Sequence, residues 1–159
     1  MKTTQMKKQV LVFLMLCFGG SLMAQDIPSS EVPNAVKNAF TKEFSNPRDV
    51  EWEKKGDYYN VEFEIGRNDH ELWITPSGQI VRHKEELSSN ELPAAIKNKI
   101  SADYKGYRID DVDKLTMGNK ALYKVEIKSG QKGDKREMDL IFDKDGKSYE
   151  KSDWRAMKL

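Results

Sequence analysis

The chain has 159 residues, of which 33% are charged, and its formal charge is +1. That balance, without a basic cluster, leaves no electrostatic footprint for nucleic acid, which draws its affinity from many Lys and Arg contacts. The single cysteine excludes a disulfide-stapled scaffold, so a hydrophobic core must hold the fold.

The amino terminus reads as a cleavable leader. Lys2, Lys7 and Lys8 precede an apolar run from Val10 to Phe18, followed by Gly19, Gly20 and Ser21. A basic stretch, a short apolar stretch and small residues are what an export signal presents. The run is too short to cross a bilayer, which takes about 20 residues. Cleavage is expected after Ala24, placing the protein in the periplasm or outside the cell, with no membrane span after the leader. Cys17 invites a lipoprotein reading, but Leu16 before it is not small, and a plain leader is preferred.

Two similar units are expected beyond the leader. Glu31-Val32-Pro33-Asn34-Ala35-Val36-Lys37-Asn38 returns as Glu91-Leu92-Pro93-Ala94-Ala95-Ile96-Lys97-Asn98. Asp49-Val50-Glu51 is matched to Asp111-Val112-Asp113, and Tyr59-Asn60-Val61-Glu62-Phe63 to Tyr123-Lys124-Val125-Glu126-Ile127. Gly78 matches Gly146, the offset growing along the chain as loop insertions would make it. The expected boundaries are 1–24 for the leader, 25–87 for the first unit and 88–159 for the second.

Each unit opens on a helix. Val32, Val36, Phe40 and Phe44 recur every four residues, as do Leu92, Ile96, Ile100 and Tyr104, with Lys and Asn on the other side. Pro33 and Pro93 suit a first turn, and Asn46-Pro47 and Lys105-Gly106 are stop signals. The period then changes to two. Val50 and Trp52 alternate with acids, Gly56-Asp57 turns the chain, and Tyr59, Val61, Phe63 and Ile65 alternate with Tyr58, Asn60, Glu62 and Glu64. Leu72 and Ile74 follow, then a Pro76-Ser77-Gly78 turn and a returning strand from Gln79 to Lys84. The second unit repeats this through Met138, Leu140 and Phe142 to a turn at Asp143-Lys144-Asp145-Gly146. The fold class expected is α+β: a tandem repeat of helix plus four-stranded antiparallel meander, with helices on one face of a curved sheet.

The Val/Leu-Pro-x-x-Val/Ile start, the Tyr-x-Val-Glu strand and the Pro-Ser-Gly or Asp-x-x-Gly turn resemble the PepSY-like, or β-lactamase-inhibitor-protein-like, domains of exported bacterial proteins. The resemblance runs through both units. It implies two units joined in one extended sheet and a protein or peptide partner, a hydrolase among the candidates.

Alternation places the functional expectations. If Tyr59, Val61 and Phe63 face the helix, then Tyr58 faces away, and Trp73, Leu122 and Ile141 do likewise. These four are the expected anchors of a binding face, with Glu62, Lys124 and Glu126 setting specificity by charge. The alternative is that sheet curvature and the tail around Trp154 cover them. Of the histidines, His83 is expected to face Glu71 across a hairpin, with His70 solvated. Two ligands do not make a zinc site, so no metal or cofactor is expected. Asp143-Lys144-Asp145-Gly146 lacks calcium-loop spacing. With no mature cysteine, no Gly-x-Ser-x-Gly and no His-Glu-x-x-His, no catalytic residue is nominated and the protein is not expected to be an enzyme. The function expected is an exported, non-enzymatic module that binds or inhibits an envelope protein or hydrolase through the open sheet face; the alternative is a small-ligand carrier or sensor of the cell envelope.

Overall fold

The computed structural model describes residues 25–158, so the leader assigned to 1–24 lies outside the described residues. Nine strands form one antiparallel sheet in sequence order. They are β1 (Gln25–Asp26), β2 (Arg48–Lys55), β3 (Tyr58–Ile65), β4 (Asn68–Ile74), β5 (Ile80–Glu86), β6 (Tyr107–Met117), β7 (Lys120–Ser129), β8 (Glu137–Phe142) and β9 (Ser148–Tyr149). Helix α1 (Asn34–Glu43) precedes β2, α2 (Ala94–Asp103) precedes β6, and α3 (Lys151–Lys158) follows β9.

The stripe residues do what their spacing predicts. Val32, Val36 and Phe40 pack on Trp52, Val61, Phe63, Leu72 and Ile74, with the Phe40 ring edge-on to Trp52 and Phe63 at 5.4 and 4.9 Å. Leu92, Ile96 and Ile100 pack in the same way on Val112, Tyr123, Val125, Ile127 and Phe142. Both clusters lie on one side of the sheet, here called the helix face, and the opposite side is the open face. Burying side chains of this size stabilises by about 1.5–3 kcal/mol each, which makes these two clusters the core.

The strand register corrects the sequence reading in three places. Val61 pairs with Trp52 and Leu72, whereas Val125 pairs with Val112 and Leu140. Trp52 therefore corresponds to Val112, and the match of Asp49-Val50-Glu51 to Asp111-Val112-Asp113 is two residues out. Bulges near the starts of β2 and β6, between Arg48 and Glu51 and between Ile109 and Asp111, break the alternation there. A further bulge lies in the β4–β5 hairpin. Thr75 faces Gln79 and Ile74 pairs with Ile80, but Trp73 pairs with Arg82, so Val81 is the extra residue. His83 consequently opposes Leu72 on the helix face, and the partner of Glu71 is Lys84.

The third correction is at the carboxyl terminus. Strand β9 is two residues long and gives way to α3, which crosses the open face rather than the helix face. Asp153 accepts a hydrogen bond from the backbone N–H of Glu150 at 3.0 Å, closing the first turn. Trp154 and Met157, three apart on one side of α3, are buried against Leu115, Leu122 and Ile141. An eight-residue helix is marginal alone, so this apolar contact is what holds it.

Candidate functional site

The ladder aligns open-face side chains in rows. Glu51, Glu62 and Glu71 stand opposite one another on β2, β3 and β4, with Lys84 next on β5. Like charges directly opposed across strands are destabilising. Burial and then the neighbouring Glu71 charge push the Glu62 carboxyl above the usual carboxylate range. A groove of about 330 Å³ runs along this row, lined by Asp49, Glu64 and Asp69 as further carboxylates and by Lys84.

Beside the acidic row sit two expected anchors. Tyr58 is 39% exposed, while Trp73 is only 9% exposed although α1 and α2 lie on the other face. Its cover comes from long cations: Lys55 Nζ and the Arg82 guanidinium stand 5.9 and 5.8 Å from the indole ring. Between these aromatics, Asn60 is fully buried. Its side-chain amide donates to Glu71 Oε1 and to the Leu72 carbonyl, both at 3.0 Å, and its oxygen accepts from Lys55 Nζ at 2.7 Å. Burial pulls the Lys55 ammonium down, but its bond to Glu53 and the surrounding carboxylates prevail and hold it above its ordinary value. The aromatic anchors are thus pinned on a polar bed. Neither Lys55 nor Asn60 nor Arg82 stands out in the sequence, because nothing local distinguishes a lysine that roofs a tryptophan from one in solvent.

Leu122 and Ile141 face the side expected of them but are not open. They are 0% and 3% exposed because Trp154 and Met157 of α3 lie on them. The alternative weighed from sequence, a tail around Trp154 covering the apolar groups, is what the structure has for this pair. Lys124 bonds to Asp113 at 2.7 Å and lines a groove with Trp154 and Arg155. Glu126 is bridged by Lys128 at 2.9 Å. Asp113, 4% exposed, also takes Lys84 at 3.0 Å, so an ion network crosses the middle of the open face.

The two anchor pairs occupy corresponding places. Counting outward from the paired valines Val61 and Val125, Tyr58 corresponds to Leu122, and counting from Leu72 and Leu140, Trp73 corresponds to Ile141. The acidic row corresponds as well, because Asp111, Glu126 and Asp139 stand opposite one another on β6, β7 and β8. In that second row Asp139 is met by Lys151 of α3 at 3.1 Å. Helix α3 covers the apolar pair of the second half and meets its row at Asp139, and among the described residues no helix lies on the corresponding pair of the first half.

On the helix face, the histidines form a pair. His70 Nδ1 and His83 Nε2 are 3.0 Å apart, the rings stacked at 5.3 Å. Phe63 stacks on His70 and Phe44 meets His83 edge-on. His70 is buried, so its expected solvation is corrected: as partner of Phe63 in the ladder it lies under the end of α1. Burial drives the His70 imidazole below its usual range and His83 down to about 4. Glu85 lies opposite His70, and the ligating atoms of His70, His83 and Glu85 are all within 4.8 Å of one another. Among the described residues, no helix is long and apolar enough to cross a membrane.

A continuous antiparallel sheet with two helices packed on one face and a largely polar open face defines the class of protein. The family described as "Putative beta-lactamase-inhibitor-like, PepSY-like" matches over residues 22–82 and again over 57–149, and the chain belongs to it. A "putative periplasmic" protein from Bacteroides eggerthii is similar in structure, with a TM-score of 0.62 and 18% identity over 75% of this chain and 86% of that one. A BLIP-like protein from Bacteroides fragilis has a TM-score of 0.60 and 26% identity over 78% of this chain and 85% of the other. No curated protein matches the chain.

Proposed function

We propose that this protein is an exported, non-enzymatic binding module whose first half docks a short basic amphipathic helix of a partner protein on the open face. The observation that carries this reading is the relationship between the halves. Helix α3 lays Trp154 and Met157 on Leu115, Leu122 and Ile141 and sets Lys151 on Asp139. The corresponding surface of the first half offers Tyr58, with Trp73 beneath the displaceable Lys55 and Arg82 side chains, as apolar ground and Glu51, Glu62 and Glu71 as an acidic row. A partner helix with an aromatic or aliphatic anchor and a lysine or arginine one turn away would complement both. Glu62 supports the reading from a second side, since the pKa of its carboxyl is raised by burial and by Glu71 within that row.

Duplication of one helix-plus-meander unit, spanning 25–87 and 88–159, accounts for the correspondence of the strand registers. The leader pattern and the periplasmic relative support export. The family's inhibitor-like description makes an envelope hydrolase the partner class of first interest, with the module acting as inhibitor or regulator. Leu122 and Ile141 then serve α3, while Tyr58 and Trp73 serve the partner. The ion network of Lys84, Asp113 and Lys124 occupies the open-face junction of the halves, which gives the small-ligand alternative no support.

Capture from an envelope extract tests the reading. Proteins retained by the wild type should be lost with Tyr58→Ala/Trp73→Ala and with Glu62→Lys. Identical retained proteins for all three would remove the anchor and charge claims together.

A further inference from the structure

The helix face holds a cluster that the binding reading does not use. Where the apolar cluster under α1 ends, the face turns polar: His83 and Glu85 on β5 lie beside Thr116 and Lys114 on β6. His70 on β4 completes the group. We infer that His70, His83 and Glu85 form a binding site for one divalent transition-metal ion of the zinc class.

The geometry supplies the argument. Two imidazole nitrogens that each bind zinc at 2.0–2.1 Å with a tetrahedral angle stand about 3.3 Å apart. His70 Nδ1 and His83 Nε2 are 3.0 Å apart, so admitting an ion between them asks for a shift of only a few tenths of an ångström. Phe63 stacks on one ring and Phe44 abuts the other edge-on, which restrains both imidazoles. Holding ligands in place before the ion arrives is what separates a site from a chance cluster.

Glu85 supplies the third ligand. One of its oxygens accepts from Lys114 Nζ at 2.6 Å, and the carboxylate lies within 4.8 Å of both imidazole nitrogens. Two histidines and a carboxylate, with a fourth position for water, is a donor set that suits zinc rather than calcium or magnesium. The Lys114 ammonium is the opposing element, a positive charge held at the edge of the site.

That opposition makes the test directional. Zinc is titrated calorimetrically into the untagged mature protein (residues 25–159) at neutral pH, and cobalt is added in parallel to read the visible absorption of a tetrahedral centre. The wild type should bind one ion per chain and show the cobalt band. His83→Gln should weaken zinc binding about tenfold or more, Glu85→Gln should weaken it by a smaller factor, and Lys114→Gln should tighten it. Wild-type binding no tighter than that of His83→Gln, or no cobalt band, would overturn the site and leave a hydrogen-bonded histidine pair. If circular dichroism shows His83→Gln unfolded, Glu85→Gln and Lys114→Gln decide, since adventitious surface binding would not move in opposite directions for those two.

Discussion

The backbone of Gly78 abuts that of Ala35: a Cβ built on Gly78 would stand 2.6 Å from the Ala35 carbonyl oxygen. The hairpin turn between β4 and β5 thereby presses against the first turn of α1. The same relationship recurs between Gly146 and Ala95, where the distance would be 3.2 Å. Both glycines have positive φ, +88° and +81°. This contact fixes the helix on the sheet in each half, and it needs a residue without a side chain.

A graded loss of stability follows for three alanine substitutions. Gly66 also has positive φ, but nothing lies within 4 Å of its missing Cβ. Gly66→Ala should cost about 1 kcal/mol of backbone strain alone. Gly78→Ala adds a clash with backbone that cannot rotate away and should cost about 2–4 kcal/mol, with Gly146→Ala between the two. Urea denaturation of the three variants checks the order, and equal costs would contradict it.

Trp154 is the anchor of α3. Trp154→Ala should release the helix, because Met157 alone does not offset the ordering cost of an eight-residue segment. The expected loss is about 2–4 kcal/mol, confined to α3 and the strands it covers. Hydrogen exchange would then show α3 amides unprotected while those of α1 and α2 keep their protection. Loss of protection throughout would mean that α3 belongs to the cooperative core.

Glu62 should make stability depend on pH in a stated direction. Its folded pKa is raised, first by burial and then by Glu71, so the folded state holds this proton more tightly than the unfolded chain does. The group therefore favours folding at low pH, and that contribution is lost as pH rises through the folded pKa. Glu62→Gln, which cannot ionise, should be more stable than wild type at neutral pH, and the gain should vanish toward the acid side of the carboxylate range. The carboxylate is exposed, so the gain should be only about 0.5 kcal/mol and should shrink with added salt. Thermal melts across pH measure it, and a gain that grows on acidification would contradict the assignment.

Asn60 holds the open face from beneath. Asn60→Ala would leave the Lys55 ammonium, one Glu71 oxygen and the Leu72 carbonyl each short of a bond, at about 1–3 kcal/mol. Because Lys55 roofs Trp73, indole fluorescence should shift as well as stability. A stability change without a fluorescence change would detach the network from the anchor.

The sequence carried the elements whose signal is periodic. Stripes at Val36–Phe40 and Ile96–Ile100, alternation through Tyr59–Ile65 and glycine turns at Gly78 and Gly146 all recur in the structure as read. What escaped depends on single insertions and on contacts distant in sequence. One extra residue at Val81 moves His83 from beside Glu71 to beside His70, and no local pattern announces a bulge. The cover over Leu122 and Ile141 was legible as the alternative reading of the tail around Trp154, and Trp154 and Met157, at helical spacing behind Asp153, supply it. The roof that Lys55 and Arg82 form over Trp73 arises only from strand pairing.

A photo-crosslinking amino acid placed at Tyr58 on the open face, or at Lys42 on exposed helix α1, tests the docking claim most directly in an envelope extract. The account predicts a discrete adduct from position 58 that disappears when Glu62→Lys is added, and none from position 42. Equal adducts from both positions, or an adduct at 58 indifferent to Glu62→Lys, would contradict it.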